Sequence, residues 1–405
     1  MCLYNNFISD KCKSQDTSSR TSATITLEVL RSLNALLTIH RLKIIKTKDN
    51  NSNNKVHMSV FDHREFAEHE QVSFYHDKVT GLKAIIAVHN TNLGPGLGGC
   101  RMYNYANSEE ALTDVLRLSR GMTYKAAMAG LPQGGGKAVI FGDPRKDKTP
   151  EMMREMGNFV DTLKGKYITA EDSGIAVSDI VCMSQNTAHV SGTFSKYSFD
   201  GSIADGNPAP ATAYGVFVGI KAAVKHVYQT DLRGKKVAIK GVGHVGIRLA
   251  EYLYKEGATL YVADIFPDGV NRAVAEFGAT QVSVTEIDLL DVDVFAACAL
   301  GNAINEQNID HLKARIIAGA ANNQLASDEM GVKLAQRGIL YAPDYVINAG
   351  GIIDIFHQRS DSSAEKLREH LNQIGETLQT IFVAAEKSGL ATAKVADSLA
   401  ELKFQ

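Results

Sequence analysis

Residues 236–264, KVAIKGVGHVGIRLAEYLYKEGATLYVAD, carry the strongest structural signal in the chain. They predict a strand, a glycine-rich turn, an amphipathic helix and a second strand, at residues 236–240, 241–246, 247–256 and 259–263. An acidic residue, Asp264, follows the second strand directly. A Gly-x-Gly-x-x-Gly turn in this strand–turn–helix–strand setting is typical of a parallel α/β domain that binds a dinucleotide.

The same stretch predicts which dinucleotide binds. The N-terminus of the helix would hold the pyrophosphate, and Asp264 would accept hydrogen bonds from the adenosine ribose hydroxyls. A carboxylate at this place repels a 2′-phosphate, and no arginine follows it directly. We therefore expect NAD rather than NADP as the cofactor.

The rest of the C-terminal half extends this α/β pattern. Apolar runs at residues 292–297, 314–318 and 338–342 predict further parallel strands. Helices are predicted at residues 211–228 and 363–387. We expect a two-domain α/β protein, with an N-terminal α/β substrate domain, a Rossmann-type dinucleotide-binding domain and a C-terminal helix that returns to the first domain.

Shifts in composition predict the domain boundaries. Residues 1–57 are polar, with nine Lys/Arg against four Asp/Glu, and we expect a poorly ordered extension before a natural start at Met58. A transit peptide is the alternative. A Gly-, Ser- and Pro-rich segment, 191–210, predicts the linker between the domains. The predicted units are 58–205 for substrate binding and oligomerisation, 206–345 for NAD binding, and 346–405 for a helical segment packed on the first domain.

Composition excludes several functional classes. The chain has 405 residues and a formal net charge of -2, which argues against a nucleic-acid or membrane-surface footprint. Its five cysteines are scattered, without the spacing of a metal site or a disulfide framework, which fits a reducing cytoplasm. We expect no metal and no membrane-spanning segment.

A second informative stretch is residues 121–137, GMTYKAAMAGLPQGGGK. Lys125 ends a helix-like run, and Lys137 follows three glycines that let the backbone approach a ligand closely. If both lysines face one pocket, desolvation and mutual repulsion lower the pKa of at least one, which can then act as a general base. The alternative is a pair of solvated lysines. A phosphate loop is excluded by Leu131 and Ala138.

The first domain contributes two further features. Strands are predicted at residues 72–75 and 83–89, and a helix at 108–122 with Ser108 as its cap. The segment 93–101 is predicted to be a loop. Its Gly-x-Gly-x-x-Gly match is not followed by a helix, so we expect it to approach a small substrate rather than a nucleotide.

Asp172 ends the short apolar run that begins at Tyr167 and precedes a glycine-containing loop. A catalytic carboxylate is common at such a strand end. A helix cap for the following segment is an equally good interpretation from the local sequence.

From Met58 onward the chain resembles the NAD-dependent amino acid dehydrogenases of the leucine, valine and phenylalanine dehydrogenase group. Seven motifs carry the resemblance, in the family's order and roughly its spacing. They are LGPGLGG at 93–99, GMTYK at 121–125, GGGK at 134–137, AED at 170–172, GVGHVG at 241–246, AGAANN at 318–323 and PDYVINAGG at 343–351.

The resemblance implies reversible oxidative deamination of an L-amino acid to a 2-oxo acid and ammonium. It makes Lys137 the general base and Asp172 its proton relay, and it places the substrate carboxylate on Lys125. The other substrate-binding positions that it implies are Leu97, Gly98, Gly99, Met122, Ala170, Asn323, Ile352 and Ile355. The cofactor-binding positions are Thr212, Gly241, Gly243, His244, Val245, Gly246, Asp264, Ala297, Cys298 and Asn348.

The pocket residues favour an aliphatic substrate. Related glutamate dehydrogenases place a lysine just before the Gly-Gly pair, whereas this chain has Leu97, so a buried distal carboxylate would have no partner. Ala170, Ile352 and Ile355 are also apolar, although the two isoleucines can equally be core residues. Leucine, valine or isoleucine fits best, and an aromatic amino acid, phenylalanine or tryptophan, is the alternative.

Some features depart from the family pattern. His244 replaces an asparagine that is common in the group, and the linker between the domains is longer. The short C-terminus puts the usual octamer in doubt. We still expect a homo-oligomer. Two other classes stay open: an NAD-binding regulator without activity, and a hydroxy-acid dehydrogenase. The intact lysines argue against the first. The second usually needs a catalytic His with an Arg, and no such pair occurs in a comparable context.

Overall fold

The computed structural model describes residues 59–193, 199, 207–360 and 362–405. The extension predicted at residues 1–57 and the boundary at 205 lie outside the described residues. Within the described ranges, none of the helices combines the length and the apolar character needed to cross a membrane. Three cysteines in these ranges, Cys100, Cys182 and Cys298, are free thiols.

The first half of the chain forms a five-stranded sheet. Its strands are β1 (Gln71–His76), β2 (Lys83–Asn90), β3 (Gly96–Tyr103), β4 (Gly134–Phe141) and β5 (Tyr167–Ala170). They lie in the order β1-β2-β4-β3-β5. Strand β2 runs antiparallel to its neighbours β1 and β4, whereas β4, β3 and β5 are parallel. Strand β3 therefore lies between β4, which carries Lys137, and β5, which ends two residues before Asp172.

Three helices accompany this sheet: α1 (Ser108–Met128), α2 (Pro150–Asp161) and α3 (Val177–Met183). Apolar residues of α1, among them Val115 and Leu116, pack with Ile85 and Val139 on one face of the sheet. Methionines and Phe159 of α2 pack with the alternate strand residues on the other face. The alternation follows from strand geometry, in which successive side chains point to opposite faces.

The prediction of a loop at residues 93–101 is wrong, because most of this segment belongs to strand β3. Four of its glycines leave no apolar–polar alternation from which a strand could be predicted. They are needed for close pairing of the strands: a Cβ on Gly98 would lie 1.8 Å from the carbonyl oxygen of Gly136. A Cβ on Gly99 would lie 2.6 Å from that of Glu171.

Helix α1 also differs from its predicted bounds. Its cap is Asn107 rather than Ser108, because the Asn107 side chain accepts a hydrogen bond from the Glu110 N–H at 2.9 Å. The helix continues to Met128, beyond the predicted end at 122. Lys125 therefore lies in the last turn of a regular helix, where its position is fixed by the packing of α1.

The second half forms a parallel six-stranded sheet. Its strands are β6 (Lys236–Lys240), β7 (Thr259–Ala263), β8 (Thr280–Gln281), β9 (Val294–Ala297), β10 (Ile316–Ile317) and β11 (Leu340–Tyr341), in the order β11-β10-β9-β6-β7-β8. Strands β6 and β7 have the predicted bounds, and the three further predicted strands are present but shorter. The order, with β6 at the centre, confirms the Rossmann-type domain.

Helices cover and extend this sheet. They are α4 (Ala209–Tyr228), α5 (His244–Lys255), α6 (Pro267–Phe277), α7 (Asp328–Gln336), α8 (Asp344–Ile347), α9 (Gly350–Arg359), α10 (Ala364–Ser388) and α11 (Thr392–Phe404). Helix α5 begins three residues before its predicted start at 247, so His244, Val245 and Gly246 belong to its first turn.

The C-terminal return to the first domain is made chiefly by α11, which lies in the predicted helical segment 346–405 but was not predicted as a separate helix. The predicted long helix, α10, packs mainly against α4. Helix α11 packs against α1 and also makes polar contacts with it. One of these is a 3.0 Å hydrogen bond from Lys403 Nζ to the carbonyl oxygen of Ala127. The domain boundary at 345 stays a prediction.

Candidate active site

The sheet brings Lys137 and Asp172 together. Lys137 lies on β4 and Asp172 follows β5, and the strand between them, β3, has only glycine at the level of both, since Gly99 pairs with Ala170. A Cβ on Gly99 would lie 2.7 Å from the Asp172 Cβ. Across this gap the Lys137 ammonium donates a hydrogen bond to Asp172 Oδ2. The Lys137 residue is 5 % exposed, so the pair is largely shielded from water.

The charges around Asp172 keep it ionised. Burial by itself raises the pKa of this carboxyl, but the Lys137 and Arg101 charges and the hydrogen bond from Lys137 lower the pKa to about 2. The helix-cap interpretation of Asp172 is wrong: the next helix, α3, is capped at Ala176, whose N–H donates to Asp179. Asp172 is therefore free to serve as the partner of Lys137.

Lys125 is the lysine whose pKa is lowered. Burial lowers the pKa of Lys125 to about 8; Asp344 and Asp172 oppose the shift, and Lys137 adds to it. The expected repulsion between the two lysines is thus present but is smaller than the effect of burial. Lys137, in contrast, has a carboxylate, Asp172, in direct contact with its ammonium.

Several predicted substrate-binding residues lie around this pair. Leu97 and Ala170 are buried on β3 and β5, and Met122 on α1 lies 3.3 Å from a Cβ built on Gly98. Ile352 is buried and Ile355 half-buried on α9. Their place in the same pocket as Leu97 stays a prediction.

The two predicted asparagines differ in their surroundings. Asn323 is exposed, has a φ of 51°, and accepts a hydrogen bond from Asn302 N through its carbonyl. Asn348 is buried, and its Nδ2 donates to Ala320 O at 3.1 Å and to Asn322 Oδ1 at 2.8 Å. Within the described ranges its Oδ1 is buried without a hydrogen-bond partner. An unpaired buried acceptor suits a ligand that brings an N–H donor.

A cavity of about 660 Å³ lies at the carboxyl ends of the strands in the second sheet. Five of the predicted cofactor-binding residues line it: Gly241, Gly243, Asp264, Ala297 and Cys298. The other five lie elsewhere: His244, Val245 and Gly246 in the first turn of α5, Thr212 in α4 and Asn348 after α8. Thr212 Oγ1 donates to the carbonyl oxygen of Pro208 at 2.9 Å.

The geometry of the turn fits a dinucleotide. Gly241 has a φ of 100°, and a Cβ there would lie 2.6 Å from Ala299 N. A Cβ on Gly246 would lie 2.0 Å from the carbonyl oxygen of Gly241, whereas Gly243 faces open space. The helix α5 that begins there has no side-chain cap, so its first N–H groups are available for a phosphate.

Asp264 is held towards this turn. Its Oδ2 accepts from Val242 N at 2.7 Å and its Oδ1 from Phe266 N at 3.0 Å. Each carboxylate oxygen keeps a further lone pair for a ribose hydroxyl. Among the residues that the structure describes, no cluster of three or more His, Cys, Asp or Glu side chains could hold a metal ion.

Sequence reasoning missed two charged neighbours of the lysines. Arg101 Nε lies 3.4 Å from Asp172 Oδ2, and Asp344 acts on Lys125 from the start of α8. Arg101 follows the Gly-Gly pair by two residues, so the alternation of β3 would have placed it on the Gly99 face. The alternation indicates this only if residues 93–101 form a strand, whereas the sequence predicts a loop there.

Comparisons with known proteins show which family this chain resembles. Residues 64–193 match the family described as "Glu/Leu/Phe/Val dehydrogenase, dimerisation domain", and residues 206–265 and 267–399 match "Glutamate/Leucine/Phenylalanine/Valine dehydrogenase". The chain is 48% identical to leucine dehydrogenase from Geobacillus stearothermophilus over 349 residues, 86% of this chain and 94% of that protein.

An aromatic amino acid dehydrogenase is about equally similar. The chain is 48% identical to L-tryptophan dehydrogenase from Nostoc punctiforme over 335 residues. These residues make up 82% of this chain and 92% of that protein. The crystal structure of L-tryptophan dehydrogenase from Nostoc punctiforme superposes with a TM-score of 0.73 at 46% identity, covering 83% of this chain and 96% of that one.

Proposed function

Since this chain belongs to the Glu/Leu/Phe/Val dehydrogenase family, we propose that it catalyses reversible NAD-dependent oxidative deamination of a branched-chain aliphatic L-amino acid. The products are the 2-oxo acid, ammonium, NADH and a proton. The observation that carries the proposal is the contact between buried Lys137 and half-buried Asp172, which meet across Gly99 of β3 near a second, half-buried lysine, Lys125.

The proposed roles follow from the chemistry of these groups. Lys125 binds the α-carboxylate of the substrate, whose negative charge stabilises the ammonium form of a lysine that burial disfavours. Lys137, once neutral, removes a proton from the water that attacks the imine carbon. Asp172 orients Lys137 and accepts its hydrogen bond throughout. When bound, NAD supplies a nicotinamide ring that accepts the hydride from Cα.

The substrate class rests on Leu97 and its neighbours. Leu97 and Ala170 are buried and apolar, so a distal carboxylate in the proposed pocket would have no cationic partner from them, which disfavours glutamate. An aromatic substrate is the second candidate, and it is supported by the comparable identity to the tryptophan dehydrogenase. Small changes in an apolar pocket shift such preferences by only about 1–3 kcal/mol.

The choice of NAD over NADP is supported by the residues around Asp264. Its carboxylate would repel a 2′-phosphate, and the next two residues, Ile265 and Phe266, are exposed and apolar. Lys240 lines the cavity, but its ammonium is 2.9 Å from Asp288 Oδ1, so its charge is already compensated.

We further propose a cytoplasmic homo-oligomer. Support comes from the match of residues 64–193 to a dimerisation domain and from the free thiols Cys100, Cys182 and Cys298. The edge strand β1 also exposes Phe74, which is 56 % accessible in the isolated chain. Light scattering coupled to size-exclusion chromatography measures the mass in solution, and a monomer at micromolar concentration would contradict the proposal.

The function is tested by NADH formation at alkaline pH with L-leucine, L-valine, L-isoleucine, L-phenylalanine, L-tryptophan and L-glutamate, each with NAD and with NADP. We expect turnover of the three branched-chain amino acids with NAD, and reduction of their 2-oxo acids only when ammonium is present. Preference for an aromatic substrate would keep the chemistry and reject the pocket assignment. Ammonium-independent reduction would indicate a hydroxy-acid dehydrogenase, and NADH binding without turnover would indicate a regulator.

A further inference from the structure

Arg101 is a charged side chain beside the reaction centre to which the roles above assign nothing. It lies on β3 two residues after Gly99, and its guanidinium contacts two carboxylates. Its Nη1 is 3.0 Å from Asp114 Oδ2, and its Nε is 3.4 Å from Asp172 Oδ2. Lys137 Nζ contacts the same Asp172 Oδ2. One carboxylate oxygen is therefore shared between two cations.

The contact between Arg101 and Asp172 is an ion pair without a hydrogen bond. Arg101 Nε is buried and makes no hydrogen bond to any residue in the described part of the chain. A buried donor without an acceptor is destabilising, so its presence here requires a reason. Because Asp172 Oδ2 is only 3.4 Å away, a small movement of that carboxylate away from Lys137 would complete the bond.

The outer end of Arg101 is firmly held. Asp114 Oδ2 accepts a 2.7 Å hydrogen bond from the Tyr105 hydroxyl in addition to its ion pair with Arg101. These three residues, with Arg117 and Ser173, line a cavity of about 410 Å³. The result is a row of alternating charges, from Asp114 through Arg101 and Asp172 to Lys137, in which one end faces the cavity and the other the proposed substrate site.

We propose that Arg101 is a positioning residue for the deamination: it shares the Asp172 carboxylate with Lys137 and so limits how strongly that carboxylate stabilises the Lys137 ammonium. The inference rests on the proposed function, because Lys137 has to lose its proton only if it is the base. A carboxylate with Lys137 as its sole partner would keep that lysine charged. An arginine suits the task because it stays charged at every pH at which a lysine titrates.

Other groups face this pair, and none replaces Arg101. Lys125 and Asp344 lie on the substrate side, and their charges act on each other. Tyr105, Tyr167 and Cys100 lie on the sheet side; burial raises their pKa values, so they stay neutral in the range where Lys137 acts. The Asp179 carboxylate acts on Cys100, and Glu171 places its backbone carbonyl beside Gly99. The guanidinium of Arg101 is the cation, besides Lys137, that lies within 4 Å of Asp172 among the described residues.

The test is the pH dependence of kcat/KM for the amino acid that the wild-type protein turns over. In Arg101→Gln the pH at which the base loses its proton should rise by about one unit, because Asp172 then acts on Lys137 alone. Arg101→Lys should restore most of the wild-type profile. Asp114→Asn should move it in the opposite direction, because Arg101 without its outer partner acts more strongly on Asp172.

A purely structural role of Arg101 would predict different results. Arg101→Gln and Asp114→Asn would both have lower activity, and their pH profiles would not shift in opposite directions. Arg117→Gln removes the same charge from the same cavity and should shift the profile by less than a third of the Arg101→Gln value. An equal shift in Arg117→Gln, or an unshifted profile in both Arg101→Gln and Asp114→Asn, would overturn the proposal.

A second readout does not depend on turnover. Cyanate carbamylates only the free amine, so the rate at which Lys137 is carbamylated, followed by peptide mass spectrometry across pH, reports its protonation directly. The same upward shift is expected in Arg101→Gln and the downward shift in Asp114→Asn. If the wild-type protein turns over no amino acid, the proposed function fails, while this titration still decides whether Arg101 controls the Lys137 charge.

Discussion

At the scale of single residues, the reaction centre depends on two glycines, Gly98 and Gly99, as much as on its charged side chains. Gly99 leaves the space through which the Lys137 ammonium reaches Asp172, and Gly98 lets β3 lie against Gly136. Of the two cations and one carboxylate that meet there, Lys137 is buried and Arg101 and Asp172 are half-buried. Their charges therefore interact at a lower effective dielectric than in water.

Lys137→Ala should reduce kcat by about 10²–10⁴-fold, the usual contribution of a positioned general base. Lys137→Arg is the matched control, because arginine keeps the charge beside Asp172 but cannot lose its proton at accessible pH. Both variants should retain NADH binding, measured by fluorescence titration. Wild-type turnover in either variant would contradict the assignment of Lys137 as the base.

Leu97→Lys should lower kcat/KM for leucine by about tenfold or more, because a buried ammonium replaces apolar contact with the substrate side chain. It should also admit acidic substrates, for which the new charge is a partner. Steady-state kinetics with leucine and glutamate measure both effects. The exposed Leu402→Lys is a control for the general effect of adding a lysine. Unchanged leucine kinetics in Leu97→Lys would remove Leu97 from the pocket.

At the scale of elements, α11 fixes the helix that carries Lys125. The Tyr124 hydroxyl donates to Glu401 Oε1 at 2.7 Å, and Asn92 Nδ2 donates to the carbonyl oxygen of Phe404 at 2.8 Å. The Phe404 ring packs edge-on against Tyr124, with 5.2 Å between ring centroids. The last turn of α1 is thus held from the C-terminal end of the chain.

Phe404→Ala should lower the free energy of unfolding by about 3 kcal/mol, the usual cost of removing a buried phenylalanine side chain. It should also raise the KM for the amino acid, because the last turn of α1 loosens around Lys125. Leu402→Ala on the same helix removes an exposed side chain and should cost less than about 1 kcal/mol. Urea unfolding measures both; equal costs would show that α11 does not hold α1 through Phe404.

At the scale of the whole molecule, two buried histidines connect stability to pH. His69 and His89 pack with their ring centroids 4.9 Å apart, and His89 Nδ1 lies 2.9 Å from Thr123 Oγ1. Burial, with smaller effects of His69 and Arg120, lowers the pKa of His89 to about 3. Between pH 6.5 and 3 the unfolded chain therefore binds a proton at His89 that the folded protein does not.

Acid should consequently destabilise the wild type more than His89→Asn. As the pH falls below about 6.5, the stability of the wild type relative to that variant should drop by about 1.4 kcal/mol per pH unit. The comparison cancels the opposite contribution of acids whose pKa values are raised by burial, such as Asp344 and Asp397. Thermal unfolding from pH 7 to 5 measures the difference. His76→Asn removes an exposed histidine, so its stability should change with pH in the same way as that of the wild type. If the stability of His89→Asn also changed with pH as the wild type does, the prediction would be contradicted.

Local signals allowed much of the fold to be predicted. Strands β6 and β7 and the turn between β6 and α5 have their predicted places, because alternation, glycines and the following acid are all local features of the chain. Strand β3 was missed for a physical reason: its glycines carry no side chains from which a periodicity could be recognised. Helix α11 was predicted only as part of the helical segment 346–405, and its packing on α1 is a long-range contact that no local pattern indicates.

By itself, the sequence determined the α/β class, the dinucleotide-type turn, the apolar character of Leu97 and the family, since these depend on residue identity and short-range order. Only the tertiary structure decided that Lys137 and Asp172 meet across Gly99, that burial lowers the pKa of Lys125 rather than repulsion alone, and that Arg101 shares the carboxylate. The strand order β4-β3-β5 pairs residues that are 38 or more positions apart in the sequence. Such pairing, and the desolvation that accompanies it, results from the packing of the whole sheet and cannot be derived from any local pattern.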